Sequence, residues 1–220
     1  MNQSISKLNN QIVKCNKCKR LVKFRKKIAF KKRKQFIDEI YWGKPVTGFG
    51  DTNAQILLLG LAPAAHGGNR TGRVFTGDKS AEFLFKCLYN SKHSNQPNSD
   101  HVSDGLKLNN IYITLVLKCV PPFDKPTNEE LKNCYLYLEK EILNLKKLKQ
   151  ILCLGKVAFD FCVNFFNLNK KETIFKHGST YKINKRLTLI SSYHPSPRNV
   201  NTGRLNESMM TELLIKLKKK

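Results

Sequence analysis

Ala54-Gln55-Ile56-Leu57-Leu58-Leu59, with the loop Gly60-Leu61-Ala62-Pro63-Ala64-Ala65-His66-Gly67-Gly68-Asn69-Arg70-Thr71-Gly72-Arg73-Val74-Phe75-Thr76-Gly77-Asp78 behind it, decides the fold. A short apolar run bounded by polar residues and glycine is the pattern of a buried strand. After Asp78, the stretch from Ser80 to Leu88 has helical periodicity, with Ser80 as the expected N-cap. The loop thus leaves the carboxyl end of a strand and feeds a helix, where open α/β sheets bind ligands. Its five glycines let backbone approach a ligand closely. Arg70, Arg73 and free N–H groups suit an anion such as phosphate. Asp78 is the loop's one carboxylate. The plainer alternative is a long surface loop whose aspartate merely opens a helix. No Gly-Lys-Ser/Thr closes the loop and no G-x-G-x-x-G occurs in it, which removes the two commonest nucleotide-binding explanations.

Working outward, three more strands are expected, at Ile111–Val116, Lys149–Gly155 and Leu187–Ser191. Helices alternate with them: Thr127-Asn128-Glu129-Glu130 is a capping box opening one to about Leu145, another runs from Lys156 to Phe166, and a last one starts near Glu207. This alternation gives an α/β fold, a short and mainly parallel four-stranded sheet with helices on both faces. Residues Ser4 to Ile40 are expected to be helical and strongly basic, forming an N-terminal segment of about 1–40 in a single domain of 220 residues. Ser91–Asn110 is expected to be an exposed, weakly structured loop, and Ile174–Ile183 a β excursion around His177-Gly178.

The charge is lopsided: Lys+Arg 40 against Asp+Glu 16, a net +24. A polyanionic partner follows, nucleic acid first and an anionic membrane surface second. Between Lys14 and Lys34 stand twelve Lys/Arg and no acid, interleaved with Leu21, Val22, Phe24, Ile28 and Phe30. No apolar run is long enough to span a bilayer, and no apolar signal segment opens the chain, so a cytoplasmic setting with reduced thiols is expected.

Of the seven cysteines, Cys87, Cys153 and Cys162 fall in apolar patterns and are expected in the core. Cys15, Cys18, Cys119 and Cys134 lie near loops or element ends and suit a structural zinc or a [4Fe–4S] cluster. A second loop with chemistry follows the last strand. His194 is stiffened by Pro195 and Pro197, and Arg198, Asn199, Asn201 and Arg204 come after it. In a parallel sheet Asp78 and His194 share one edge and can face one pocket.

With both loops and the four cysteines in view, the chain resembles the uracil-DNA glycosylase superfamily, most closely its family 5 (type b) iron–sulfur enzymes. The resemblance is carried by Gly60–Gly67 through Arg73–Asp78, by Tyr112-Ile113-Thr114 with Lys118-Cys119-Val120-Pro121-Pro122, and by His194-Pro195-Ser196-Pro197. It spans roughly Cys15 to Leu205 and implies a monomeric three-layer α/β/α sandwich with a [4Fe–4S] cluster on Cys15, Cys18, Cys119 and Cys134. It also implies excision of uracil and other deaminated bases, such as hypoxanthine or xanthine, from duplex or single-stranded DNA. Asp78 and His194 would be catalytic. Gly60, Ala62, Ala64, Phe75, Arg70, Arg73, Arg198, Asn199 and Arg204 would hold base or DNA, with Phe75 stacking on the extruded base. Type-a relatives carry a polar residue where this chain has Ala64 and an asparagine where it has Leu115, which favours a broader base range here. The rival expectations are a non-catalytic nucleic-acid-binding module with a structural metal, and an enzyme of free nucleotides.

Overall fold

A computed structural model describes residues 3–218. The four expected strands are present as β2 (Ile56–Gly60), β3 (Ile111–Leu115), β4 (Gln150–Leu154) and β6 (Thr188–Ser192), with every neighbouring pair parallel. The sheet is wider than expected. Two short antiparallel strands flank it, β1 (Phe49–Gly50) against β3 and β5 (Thr180–Lys182) against β6, giving six strands in the order β1-β3-β2-β4-β6-β5. β5 falls inside the β excursion expected at Ile174–Ile183, whereas the two residues of β1 are too few for an alternating pattern to register.

Side chains alternate across the pleat. On one face Ile56, Leu58, Ile113, Leu152 and Ile190 pack with Leu84, Phe85 and Leu88 of α4 (Lys79–Asn90) and Met210, Leu213 and Leu214 of α8 (Glu207–Lys218). On the other, Leu57, Leu59, Tyr112, Ile151, Cys153 and Leu189 pack with Ile5 of α1 (Gln3–Val13), Leu138 of α5 (Asn128–Asn144) and Phe159 and Cys162 of α6 (Lys156–Phe165). Helices on both faces make the three-layer α/β/α arrangement. Cys87, Cys153 and Cys162 are buried as expected, the last two with their sulfurs 3.5 Å apart. Among the described residues no helix is long and apolar enough to cross a membrane. Of the Lys-rich tail, Lys219 and Lys220 lie outside the described residues.

Three expectations need correction. The basic N-terminal helix is two helices: α1 ends at Val13, Cys15–Cys18 form an irregular turn, and α2 spans Lys19–Lys31. Neither glycine nor proline marks that break. Lys32 then turns left-handed (φ 49), ending α2 before a short 3-10 turn at Lys34–Phe36. Second, α4 is capped by Asp78, whose Oδ1 accepts the Ala81 N–H at 3.0 Å, and not by Ser80. Third, the segment Ser91–Asn110 is a mostly exposed loop as expected, but it is firmly anchored: Ser91, His93, Ser99 and Leu106 are buried, and Asp104 pairs with Arg73.

The layers are tied by an ion pair in the core. Lys118 Nζ, just past β3, donates to Glu141 Oε2 of α5 at 2.6 Å, to Thr114 Oγ1 at 2.7 Å and to the Leu115 carbonyl at 2.7 Å. Both side chains are essentially inaccessible, at 1% and 0%. Removing one partner strands a buried charge, a loss of about 3–5 kcal/mol, whereas a packed apolar pair is often neutral. Lys118→Met or Glu141→Leu should therefore each lower the urea midpoint sharply, and the double variant should recover most of the loss.

Candidate active site

The strand order reverses at β2: the chain passes to β3 on one side and returns to β4 on the other. Crevices open at the carboxyl ends of strands around such a switch point. A cavity of about 460 Å³ lies there, lined from four strand ends: Leu61–Ala64 after β2, Leu115 of β3, Leu154–Ala158 at the β4–α6 junction, and His194 and Ser196 after β6. Phe75, Asp78, Ser80 and Asp124 complete the wall. Both expected catalytic side chains therefore face one pocket.

Each is held by local structure. Asp78 caps α4, and burial pushes its carboxyl above the usual range, against N–H groups of Ala81 and Ser80 that favour the charged form. Gly67 must lack a side chain, because a Cβ there would lie 2.0 Å from Asp78 Oδ2. Burial takes His194 down to about 4, leaving a neutral imidazole at neutral pH. Its ring centroid is 6.2 Å from that of Phe75, tilted by 34°. Phe75 is itself left-handed (φ 46), an unusual state for a non-glycine residue and a mark of a constrained site. Gly60 makes room for it: a Cβ there would meet Leu115 at 2.9 Å and the Phe75 ring at 3.0 Å. Ala62 and Ala64 line the pocket.

The loop arginines correct an expectation. Arg70 donates to Glu39 at 2.5 Å, to the His66 carbonyl at 2.7 Å and to the Gly77 carbonyl at 2.8 Å, over the Phe36 ring. Arg73 is bidentate to Asp104 and also reaches Thr76 and Ser99. Both are buried staples of the loop, with their donors engaged inside the protein and not turned to an anion. Asn199 is likewise turned inward, donating Nδ2 to the His194 carbonyl at 2.8 Å, so it braces the histidine turn. Arg198 and Arg204 are exposed beyond that turn, Arg204 over the Tyr193 ring.

The strand pattern alone did not single out Gly155 and Lys156. Gly155 (φ 99) lets the chain turn from β4 into α6 with a Cβ position only 3.1 Å from His194 Cβ. The first turn of α6 thereby borders the pocket, placing its partly positive end beside any anion that forms there. The available signal was glycine at a strand–helix junction.

A second grouping lies behind the Leu115–Lys118 segment. Cys15, Cys18, Cys119 and Cys134 line one small recess with Leu21, Lys118 and Tyr137. Asn133 Nδ2 lies 3.6 Å from Cys18 Sγ. Burial raises Cys119 to about 12 and Cys134 to about 11. Among the described residues, no group of three or more His, Cys, Asp or Glu side chains is arranged to hold a metal ion. The thiols ring the recess.

Residues 47–218 match the family model described as Uracil DNA glycosylase superfamily. The chain is similar to the Type-5 uracil-DNA glycosylase of Thermus thermophilus, 42% identical over 205 residues, covering 93% of each chain. It is 39% identical over 218 residues to that of Mycobacterium leprae, covering 98% of this chain and 95% of the relative. A Type-4 uracil-DNA glycosylase of Archaeoglobus fulgidus is more distant, at 31% over 155 residues, 69% of this chain and 70% of the relative.

The His194 environment has a measurable consequence. The unfolded chain, with an ordinary histidine near 6.5, takes up a proton before the folded protein does. Stability from this group is thus complete above pH 6.5 and is lost as pH falls towards about 4. NMR titration of the imidazole should give an apparent value near 4, and His194→Gln should flatten the acid limb of the stability profile.

Proposed function

Because the chain belongs to the uracil-DNA glycosylase superfamily, whose members hydrolyse N-glycosyl bonds and remove uracil from DNA, we propose that Asp78 and His194 carry that reaction here. The observation behind the assignment is their convergence on one pocket from the carboxyl edges of β2 and β6. The target bond is hidden in a duplex, so the nucleotide is flipped out and its base enters the pocket, stacking on Phe75. As the bond between C1′ and the base nitrogen breaks, its electron pair leaves with the base and positive charge grows on the sugar. The Asp78 carboxylate stabilises that cation and orients the water that attacks C1′. Neutral His194 donates an N–H to the base oxygen on which negative charge develops, and the first turn of α6 adds its dipole. The water's proton ends on the departing base.

The pocket wall is apolar around Leu115, Phe75, Leu61 and Leu154, and no side-chain amide lines it. Such a wall suits a base range wider than uracil, including hypoxanthine and xanthine. Exposed Lys23, Lys26, Lys27 and Lys31 on α2, with Arg198 and Arg204 beyond the histidine turn, supply cations for phosphates. The activity belongs in the cell interior, where the DNA is.

Cys15, Cys18, Cys119 and Cys134 are the residues that would hold a [4Fe–4S] cluster. Four cysteines lining one recess supply the four thiolates that such a cluster needs. Such a cluster favours the thiolate forms that burial opposes. Its part would be structural, tying the α1–α2 turn to α5 and the loop after β3. Anaerobically purified protein should be brown, absorb broadly near ~400 nm and carry iron and sulfide; colourless protein with stoichiometric zinc would overturn the assignment.

Asp78→Asn keeps the cap's shape and removes the charge. Excision from duplexes bearing uracil, hypoxanthine or xanthine should fall by ~10²–10³, while duplex binding persists because phosphates supply most of the affinity. Folded Asp78→Asn with the parent rate would reduce Asp78 to a helix cap.

A further inference from the structure

The loop after β3 carries a side chain that the reaction leaves unused. Phe123 is 90% exposed. Single exposed apolar side chains are ordinary, but two features set this one apart. Its backbone is left-handed (φ 55, ψ 26), and Asp124 after it is left-handed too (φ 55). Successive non-glycine residues hold that conformation only where the surroundings impose it, and such sites cluster where ligands bind. Here the surroundings do impose it. Pro121, Pro122 and Pro126 stiffen the loop, Asp124 N donates to the Pro121 carbonyl at 3.3 Å, and Lys125 N to that of Pro122 at 3.1 Å. From outside, Arg20 of α2 donates to the Lys125 carbonyl at 3.1 Å and pairs with Glu130 at 2.6 Å. The second feature is position: Asp124, the next residue, lines the active-site cavity.

We propose that Phe123 is a stacking platform for a DNA base flanking the extruded nucleotide, a binding position outside the pocket. This rests on the glycosylase reading above. A flat ring on a clamped loop loses little freedom on binding, and stacking tolerates any base. Exposed Lys125 beside it suits the phosphate of the same nucleotide. Extrusion breaks the stack on both sides of the lesion, so a flanking base is left with an uncovered face at the pocket rim.

The test measures binding without cleavage, on a duplex containing 2′-fluoro-2′-deoxyuridine, whose fluorine disfavours the sugar cation. Phe123→Ala should weaken binding to this duplex about five- to hundredfold, the equivalent of one base–aromatic stack, and weaken binding to the unmodified duplex less than twofold. Its thermal midpoint should match the parent, since the side chain is 90% exposed. Phe123→Trp should retain the parent affinity, and the introduced indole should be quenched on binding, with Trp42 in the parent as baseline. Parent-like affinity in Phe123→Ala, equal weakening on both duplexes, or an unquenched indole would each overturn the proposal. Failure of the glycosylase reading shows separately, as a parent protein that releases no uracil from an unmodified uracil duplex.

Discussion

The Lys118–Glu141 pair is the point on which the two halves of the site depend. Desolvating two charges is expensive, and the geometry offsets it only when the remaining valences are filled. They are filled here: Thr114 Oγ1 donates to Glu141 at 2.9 and 3.0 Å, and Lys118 Nζ has three acceptors. Because one of those acceptors is the Leu115 carbonyl, the ammonium sets the end of β3 and with it one wall of the pocket. Because the next residue is Cys119, and Glu141 shares α5 with Cys134, the same contact sets half of the thiol recess. Pocket and recess are thus two sides of one anchored segment.

The Gly-rich loop works by a parallel logic. It has little regular structure beyond α3 (Gly68–Thr71), and its shape is imposed by Arg70 and Arg73 reaching Glu39 and Asp104. Holding Arg73 keeps the Asp104 carboxyl well below its usual range, although burial alone would raise it. Once the loop is fixed, Asp78 can cap α4 with one oxygen while Gly67 leaves space beside the other. Cap and candidate catalytic group are one residue, so the plain and the functional readings of Asp78 are compatible.

This also explains what was legible in the sequence. β2, β3 and β4 are largely apolar runs buried on both faces, which pattern alone identifies, while β6 shows only Leu189-Ile190 between buried hydroxyl residues. Asp78 and His194 were legible because each follows such a strand, and topology puts strand ends together. Arg70 and Arg73 misled because their partners stand thirty-one residues away in each case, and no local spacing announces a long-range carboxylate. The break between α1 and α2 misled for another reason: Cys18 takes an extended conformation (φ −97, ψ 93), and Asn16 is a weaker mark of a break than glycine or proline. Asn199 was legible as a polar loop residue but not in the direction it faces.

The recess draws its thiols from Cys15, Cys18, Cys119 and Cys134, all of which precede β4 and β6 in the chain. A ribosome therefore delivers every sulfur before it delivers the strand behind Gly155 or the one before His194. Cys18 and Cys119 must meet across a hundred intervening residues, a closure whose entropic cost grows only slowly with length. The thiols of the recess are thus all in place in the chain while half of the pocket's edge is still to be made.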